Sequence, residues 1–149
     1  MKKVEIRQAT SADIPAMNEL FRKDLGYEEC TLQILEKQFA GLDNSREAVF
    51  VAEVSDGDYS HIAGVIHVEK YNVLYFPTMA NILGLAVASD CRRQGIGSAL
   101  LKRAEEWARE KGIGSMRLNS GGNRTQAHEF YRAQGYVDDK NQLRFIKEL

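Results

Sequence analysis

The 149 residues, 44% hydrophobic and 28% charged, have the size and balance of one soluble globular domain with a real core, which excludes a disordered chain. A net charge of −1, with Lys and Arg spread along the chain, excludes a broad nucleic-acid or membrane surface. Met1-Lys2-Lys3 leads into Val4-Glu5-Ile6-Arg7, a strand pattern and not an apolar leader, and no apolar run approaches the roughly 20 residues of a membrane-spanning helix. Cys30 and Cys91 lack metal-ligand spacing, so reduced thiols in a cytoplasmic protein are expected.

Val4 to Ala9 alternates as a strand. Thr10, Ser11 and Asp13 offer N-caps for a helix with Pro15 in its first turn, Ile14, Met17, Phe21 and Leu25 at helical spacing, and Gly26 as terminator. Thr31 caps a second helix predicted to place Leu32, Leu35, Phe39 and Leu42 on one face. Ala48 to Val54 and Ile62 to Lys70 are β-rich and joined by Ser55-Asp56-Gly57-Asp58, a hairpin signal. Ala80 to Val87 is nearly all apolar, as in a central strand covered on both faces. Ile96 to Lys111 is the clearest helix, striped by Ile96, Ala99, Leu100, Ala104, Trp107 and Ala108 and ended by Gly112. A short strand over Ser115 to Asn119, a helix over Thr125 to Gln134 and a last strand over Gln142 to Lys147 follow, with a further short strand at Tyr136. Hairpins followed by a β-α-β unit predict an α/β fold with a mixed sheet, in a single domain over residues 1–149 with no linker or internal repeat.

The chemistry concentrates in Leu85-Ala86-Val87-Ala88-Ser89-Asp90-Cys91-Arg92-Arg93-Gln94-Gly95-Ile96-Gly97-Ser98. A buried strand runs through a loop with two arginines and two glycines into a helix. Glycines let an anion approach the backbone, and the amides of a helix N-terminus together with its macrodipole favour negative charge. Arg92 and Arg93 add phosphate hydrogen bonds. The pattern reads as a pyrophosphate cradle; its plain alternative is a glycine-relaxed turn with solvated arginines. A P-loop is excluded because no Gly-Lys-Ser/Thr follows, and a Rossmann site because the third glycine is missing.

Arg92-x-x-Gly95-x-Gly97 resembles the [Arg/Gln]-x-x-Gly-x-[Gly/Ala] signature of the GNAT superfamily of N-acetyltransferases. The stretch Asn123 to Tyr136, with Ala127, Phe130, Tyr131, Gly135 and Tyr136 in place, resembles that family's second motif. The resemblance implies a GNAT fold with a six- to seven-stranded mixed sheet and about four helices. It also implies acetyl-CoA as cosubstrate, no metal, and a primary amine as acceptor. The pantetheine arm is implied to lie against Leu85, Ala86 and Val87, and the pyrophosphate on the amides from Arg93 or Gln94 through Ile96, Gly97 and Ser98. The two parallel strands are implied to splay near Val87 and Asn119. Asn123 is implied to bond the arm, with Ala127 and Phe130 packing near it, and Tyr131 to aim its hydroxyl at the thioester sulfur. By spacing alone Tyr131 reads as a core aromatic beside Phe130.

Family members often carry a Glu on the strand read here as Ala80 to Val87; this chain has Asn81, Ile82, Leu83 and Gly84 and no carboxylate. The base is therefore open among Glu28, Glu29, His67 and ordered water, with water preferred and His67 reading first as a structural histidine. His61, His67 and His128 show no metal spacing, and Cys91 lacks a histidine partner nearby in sequence. Asp24 to Tyr27 and Gln142 to Lys147 are similar to the aminoglycoside-acetyltransferase-like branch. A non-catalytic acyl-CoA sensor and a peptide N-acetyltransferase are the competing readings, and a homodimer fits the resemblance.

Overall fold

Among the described residues five strands form, and they pair in the order in which the chain makes them. In the computed structural model, which describes residues 2–149, the chain divides into two compact units, Met1–Leu118 and Asn119–Leu149. The first holds β1 (Lys2–Gln8), α1 (Ile14–Glu19), α2 (Leu32–Ala40), β2 (Glu47–Asp56), β3 (Tyr59–Tyr71), β4 (Met79–Val87), α3 (Ile96–Glu110) and β5 (Met116–Leu118); the second holds α4 (Thr125–Ala133). The sheet order is β1-β2-β3-β4-β5. Neighbours are antiparallel except β4 and β5, which are parallel across the α3 crossover, as the β-α-β pattern predicts. No helix among the described residues is long and apolar enough to cross a membrane.

The entry to α1 is built by charge. Asp13 accepts from the Thr10 backbone N–H at 2.8 Å and takes two hydrogen bonds from the Arg7 guanidinium at 2.8 and 2.9 Å, which tie the helix start to β1. Pro15 sits in the first turn, where an N–H has no intrahelical acceptor. After Glu19 the helix widens into a π turn over Leu20–Asp24, with the Leu25 N–H bonded to the Leu20 carbonyl. Thr31 Oγ1 accepts from the Ile34 N–H at 3.1 Å and caps α2 as expected. Leu35, Phe39 and Leu42 pack on the core. Leu32 does not: it is 47% exposed and, in the first turn after the cap, lines an open depression with Asn18, Arg22 and Glu28.

The sheet is covered on both faces. Val49, Val51, Val65 and Ala86 pack with Ile14, Met17 and Leu20 from the α1 side. Side chains alternate along a strand, so Gly64, Ile66 and Val68 face the other way, toward α3. A Cβ on Gly64 would stand 2.8 Å from Leu100 and 3.1 Å from Ile96, a close approach that requires glycine. Ile96, Leu100, Leu101, Ala104, Trp107 and Ala108 are buried; of the stripe that the spacing predicts, Ala99 is only half-buried, and Leu101 joins it. Each large side chain among them contributes about 1.5–3 kcal/mol by leaving water.

Two strand expectations fail. No strand forms over Gln142–Lys147 or at Tyr136, so five strands are described and not six or seven. A strand exists only through its ladder, and residues 134–149 make no ladder hydrogen bonds that form one. Leu143, Phe145 and Ile146 accordingly stand 82, 87 and 78% exposed.

Candidate active site

The loop between β4 and α3 has the form its glycines predict. Ser89–Cys91 makes one tight turn, Arg93 takes a left-handed conformation at φ 64°, and Gly95 caps α3 at φ 78°. A side chain at Gly95 would be strained by that φ, and the space beside its Cα is open. Arg92, Arg93, Gln94 and Gly95 are exposed, whereas Ile96 is buried and pins the first turn to the core. The first bond of the helix runs from the Ala99 N–H to the Gly95 carbonyl, so the amides at the start of α3 head the macrodipole. Asp24, at the end of the π turn, accepts from the Ser89 N–H at 3.0 Å and lies 3.9 Å from the Arg92 guanidinium. Sequence reading did not assign Asp24 to the cradle, because the contact joins residues 65 positions apart.

Leu85, Ala86 and Val87 pair with Ile66, Val65 and Gly64 on one edge of β4. On the opposite edge β5 pairs only with Ala80, Asn81 and Ile82, and its ladder ends at Leu118. From Leu83 to Val87 that edge carries no strand among the described residues, so its backbone groups can take an added extended chain. The parting begins at Ile82 and Leu118, well before Val87. Register also shifts here: His67 faces Gly84 and Val68 faces Ile82, which leaves Leu83 as a bulge.

A polar row crosses the α1 side of the sheet beside this bulge. Glu47 on β2 and Glu69 on β3 are register partners. Glu47 Oε1 lies 2.8 Å from His67 Nε2, Glu69 Oε2 accepts from Asn81 Nδ2 at 2.8 Å, and Asn81 Oδ1 accepts from Arg117 at 2.8 Å. The Arg117 guanidinium also lies over the Tyr71 ring at 4.2 Å. β4 itself has no carboxylate, as its sequence says, but β3 beside it and β2 beyond bring one each. Alternation along β2 and β3 was a usable signal for their face; the register that pairs them was not legible.

The unit Asn119–Leu149 orders the second motif. The Arg124 N–H bonds the Gly121 carbonyl at 3.0 Å, and His128 Nε2 lies 2.8 Å from the same carbonyl, which fixes the turn holding Asn123 ahead of α4. Ala127 and Phe130 are half-buried on α4, and the Phe130 and Tyr131 rings meet edge-on at 5.2 Å. Gly135 and Tyr136 close the helix, with the Tyr136 N–H on the Tyr131 carbonyl at 3.0 Å and the Gly135 N–H on that of Arg132 at 3.0 Å. Burial pushes the Tyr131 phenol up from its ordinary value, against a smaller downward pull from the Arg124 charge, so the hydroxyl keeps its proton at neutral pH. Asn119 is the first residue of this unit.

Other candidates separate. Glu28 lines the open depression of about 470 Å³ beside Asn18, Arg22 and Cys30, and Glu29 is exposed. Cys91 does have a histidine near it: His61 Nε2 is 3.7 Å from Sγ, brought there by β3. Burial, then the Asp90 charge, raises the Cys91 thiol, the opposite of what a nucleophile needs. No cluster of three metal-ligating side chains occurs among the described residues.

The model of the acetyltransferase (GNAT) family matches residues 14–136. An aminoglycoside N(6')-acetyltransferase type 1 of Stenotrophomonas maltophilia is 29% identical over 141 residues, 94% of this chain and 90% of that one. An aminoalkylphosphonate N-acetyltransferase of Salmonella typhimurium is 29% identical over 150 aligned positions, 97% of this chain and 91% of that one. The crystal structure of the aminoglycoside N-acetyltransferase AAC(6')-Iy in complex with CoA shares the fold, with a TM-score of 0.83, 17% identity and coverage of 100% and 97% of the two chains. With a family match spanning both motifs and both units, the chain belongs to the acetyltransferase (GNAT) family and is an N-acetyltransferase.

Proposed function

We propose that this enzyme transfers the acetyl group of acetyl-CoA to a primary amine of a small molecule, by direct attack within a ternary complex. The observation that carries the reading is the α3 cradle opening directly onto the unpaired edge of β4. A diphosphate fits the amides of Gln94 to Ser98 with Arg92 and Arg93 beside it, and an amide-bearing arm fits the edge from Val87 to Leu83. The CoA complex of AAC(6')-Iy supports that cosubstrate, and relatives named for aminoglycosides and aminoalkylphosphonates support a small amine acceptor.

The amine nitrogen attacks the thioester carbonyl, the carbon–sulfur bond breaks, and the products are an amide and CoA thiol. A lysine-like amine has a pKa of about 10.4, so presenting it neutral at pH 7 costs about 4–5 kcal/mol, which a base must offset. In this reading Asn123 bonds the pantetheine arm, Ala127 and Phe130 pack beside it, and Tyr131 donates its proton to the leaving sulfur. One family model running from 14 to 136 supports treating 1–149 as a single domain, which predicts one calorimetric unfolding transition. Two free cysteines suit a reducing, cytoplasmic setting.

Thiol release from acetyl-CoA by the pure protein, against aminoglycosides, aminoalkylphosphonates, polyamines, amino acids and short peptides, tests the reading. Turnover confined to one class of small amine supports it and names the acceptor. Turnover with peptides alone overturns the small-molecule acceptor, and acetyl-CoA binding without turnover favours an acyl-CoA sensor.

A further inference from the structure

We propose that His67, held by Glu47, is the base that takes the proton from the acceptor amine; this rests on the acetyl transfer proposed above. Burial acts to raise the Glu47 carboxyl, but hydrogen bonds from His67 and from the Asp43 N–H outweigh it and hold the group below the ordinary glutamate value. An ionised carboxylate only accepts, so His67 Nε2 carries the ring proton toward Glu47 and Nδ1 keeps a lone pair. The ring is thus oriented by one nitrogen and basic at the other.

Its position fits the task. His67 stands opposite Gly84, which has no side chain of its own and is covered by Leu25 and Phe21, next to the Leu83 bulge where the open β4 edge begins. An arm laid from Val87 to Leu83 spans roughly 13–16 Å at about 3.3 Å per residue and brings its end level with Gly84. The arm lies on the far edge of β4 from β3, two strand spacings of about 4.8 Å, so β4 alone stands between the His67 backbone and the reacting carbonyl about 10 Å away. Bulges of this kind redirect a strand beside reactive sites. The His67 side chain is 27% exposed, open to a small amine.

The groups around it are polar on one side and apolar on the other. Glu47 from β2 and Glu69 from β3 share its face, Arg46 acts on Glu47, Asn81 from β4 and Arg117 from β5 hold Glu69 in place, and Phe21 and Leu25, which face Gly84 from the α1 side, are apolar. An ammonium drawn to this face gives one proton to His67 Nδ1. The freed lone pair forms the carbon–nitrogen bond as the carbon–sulfur bond breaks; Tyr131 protonates the departing sulfur, and the proton the nitrogen still has to lose returns the Tyr131 phenol to its neutral form, leaving amide and CoA thiol. Glu47 is a positioning residue.

The test uses the full chain, acetyl-CoA and two nucleophiles: kanamycin A, whose amines are largely protonated at neutral pH, and hydroxylamine, which is neutral there and needs no base. His67→Gln is expected to lower kcat with kanamycin A by about 10²–10³-fold, with acetyl-CoA affinity and transfer to hydroxylamine within about threefold of wild type. Added imidazole is expected to restore turnover to His67→Ala. Glu47→Gln is expected to lower kcat by a smaller factor without changing KM for acetyl-CoA. Independently of any acceptor, ¹⁵N shifts of wild-type His67 are expected to report the Nε2–H tautomer. An Nδ1–H tautomer, equal losses with both nucleophiles, or His67→Gln with undiminished kcat overturns the assignment. A wild type that binds no acetyl-CoA overturns the acetyltransferase reading instead.

Discussion

Single side chains in this protein act through the partner that holds them. Asp13 is buried at the start of α1, and its carboxyl lies below the ordinary aspartate value because the Arg7 hydrogen bonds outweigh desolvation. A depressed carboxyl pKa contributes stability that is fully present above the unfolded value of about 3.9 and is lost as pH falls through the folded one. Urea midpoints followed against pH are therefore expected to fall steeply below about pH 4 in wild type and less steeply in Arg7→Gln. That variant is also expected to lose about 2–3 kcal/mol near neutrality. Tyr131 is legible in its motif, but its raised phenol pKa is a property of the folded state. Tyr131→Phe is expected to lower kcat about 10²-fold with acetyl-CoA affinity unchanged, measured by thiol release and titration calorimetry. His67 could be named from the sequence as titratable; only pairing set Glu47 against it, 20 residues away.

Whole elements position what residues cannot. The cradle depends on Gly95 in the left-handed region between a tight turn and α3. Gly95→Ala is expected to cost about 1–2 kcal/mol and to weaken acetyl-CoA binding, visible together in a thermal scan and a binding isotherm. β3 and α3 meet at Gly64, where an added Cβ falls 2.8 Å from Leu100 Cδ1 and 3.2 Å from the Ala86 carbonyl. Gly64→Ala is expected to destabilise by about 1–3 kcal/mol, read from denaturant midpoints, because overpacking there pushes on α3 and β4. The elements themselves were largely readable, since α3 has an apolar stripe with a glycine stop and β2 and β3 flank a strong turn signal. Leu32 was misplaced because periodicity gives a helix face and not where the covered surface ends. The strand expected over Gln142–Lys147 failed for a related reason: alternation marks a segment able to pair, and pairing needs a partner edge.

For the whole molecule, binding and stability are linked. At a hundredfold excess over Kd, acetyl-CoA is expected to stabilise the fold by about 2.7 kcal/mol and raise Tm by about 5–10 °C, and an unchanged Tm would count against the cradle. The amino-acid sequence by itself determined the family motifs, the glycine turn into α3, the order of most elements and the parallel β-α-β unit. Those are local signals: glycine spacing, capping residues and apolar periodicity act within a few residues of chain. The tertiary structure alone decided that the β5 ladder stops at Ile82, that Leu83 bulges, and that Asp24 ties down the cradle loop. It alone placed Glu47, Glu69, Asn81 and Arg117 in one row beside His67. Register and long-range pairing come from how two faces of a sheet are covered at once, a condition that no single stretch of sequence contains.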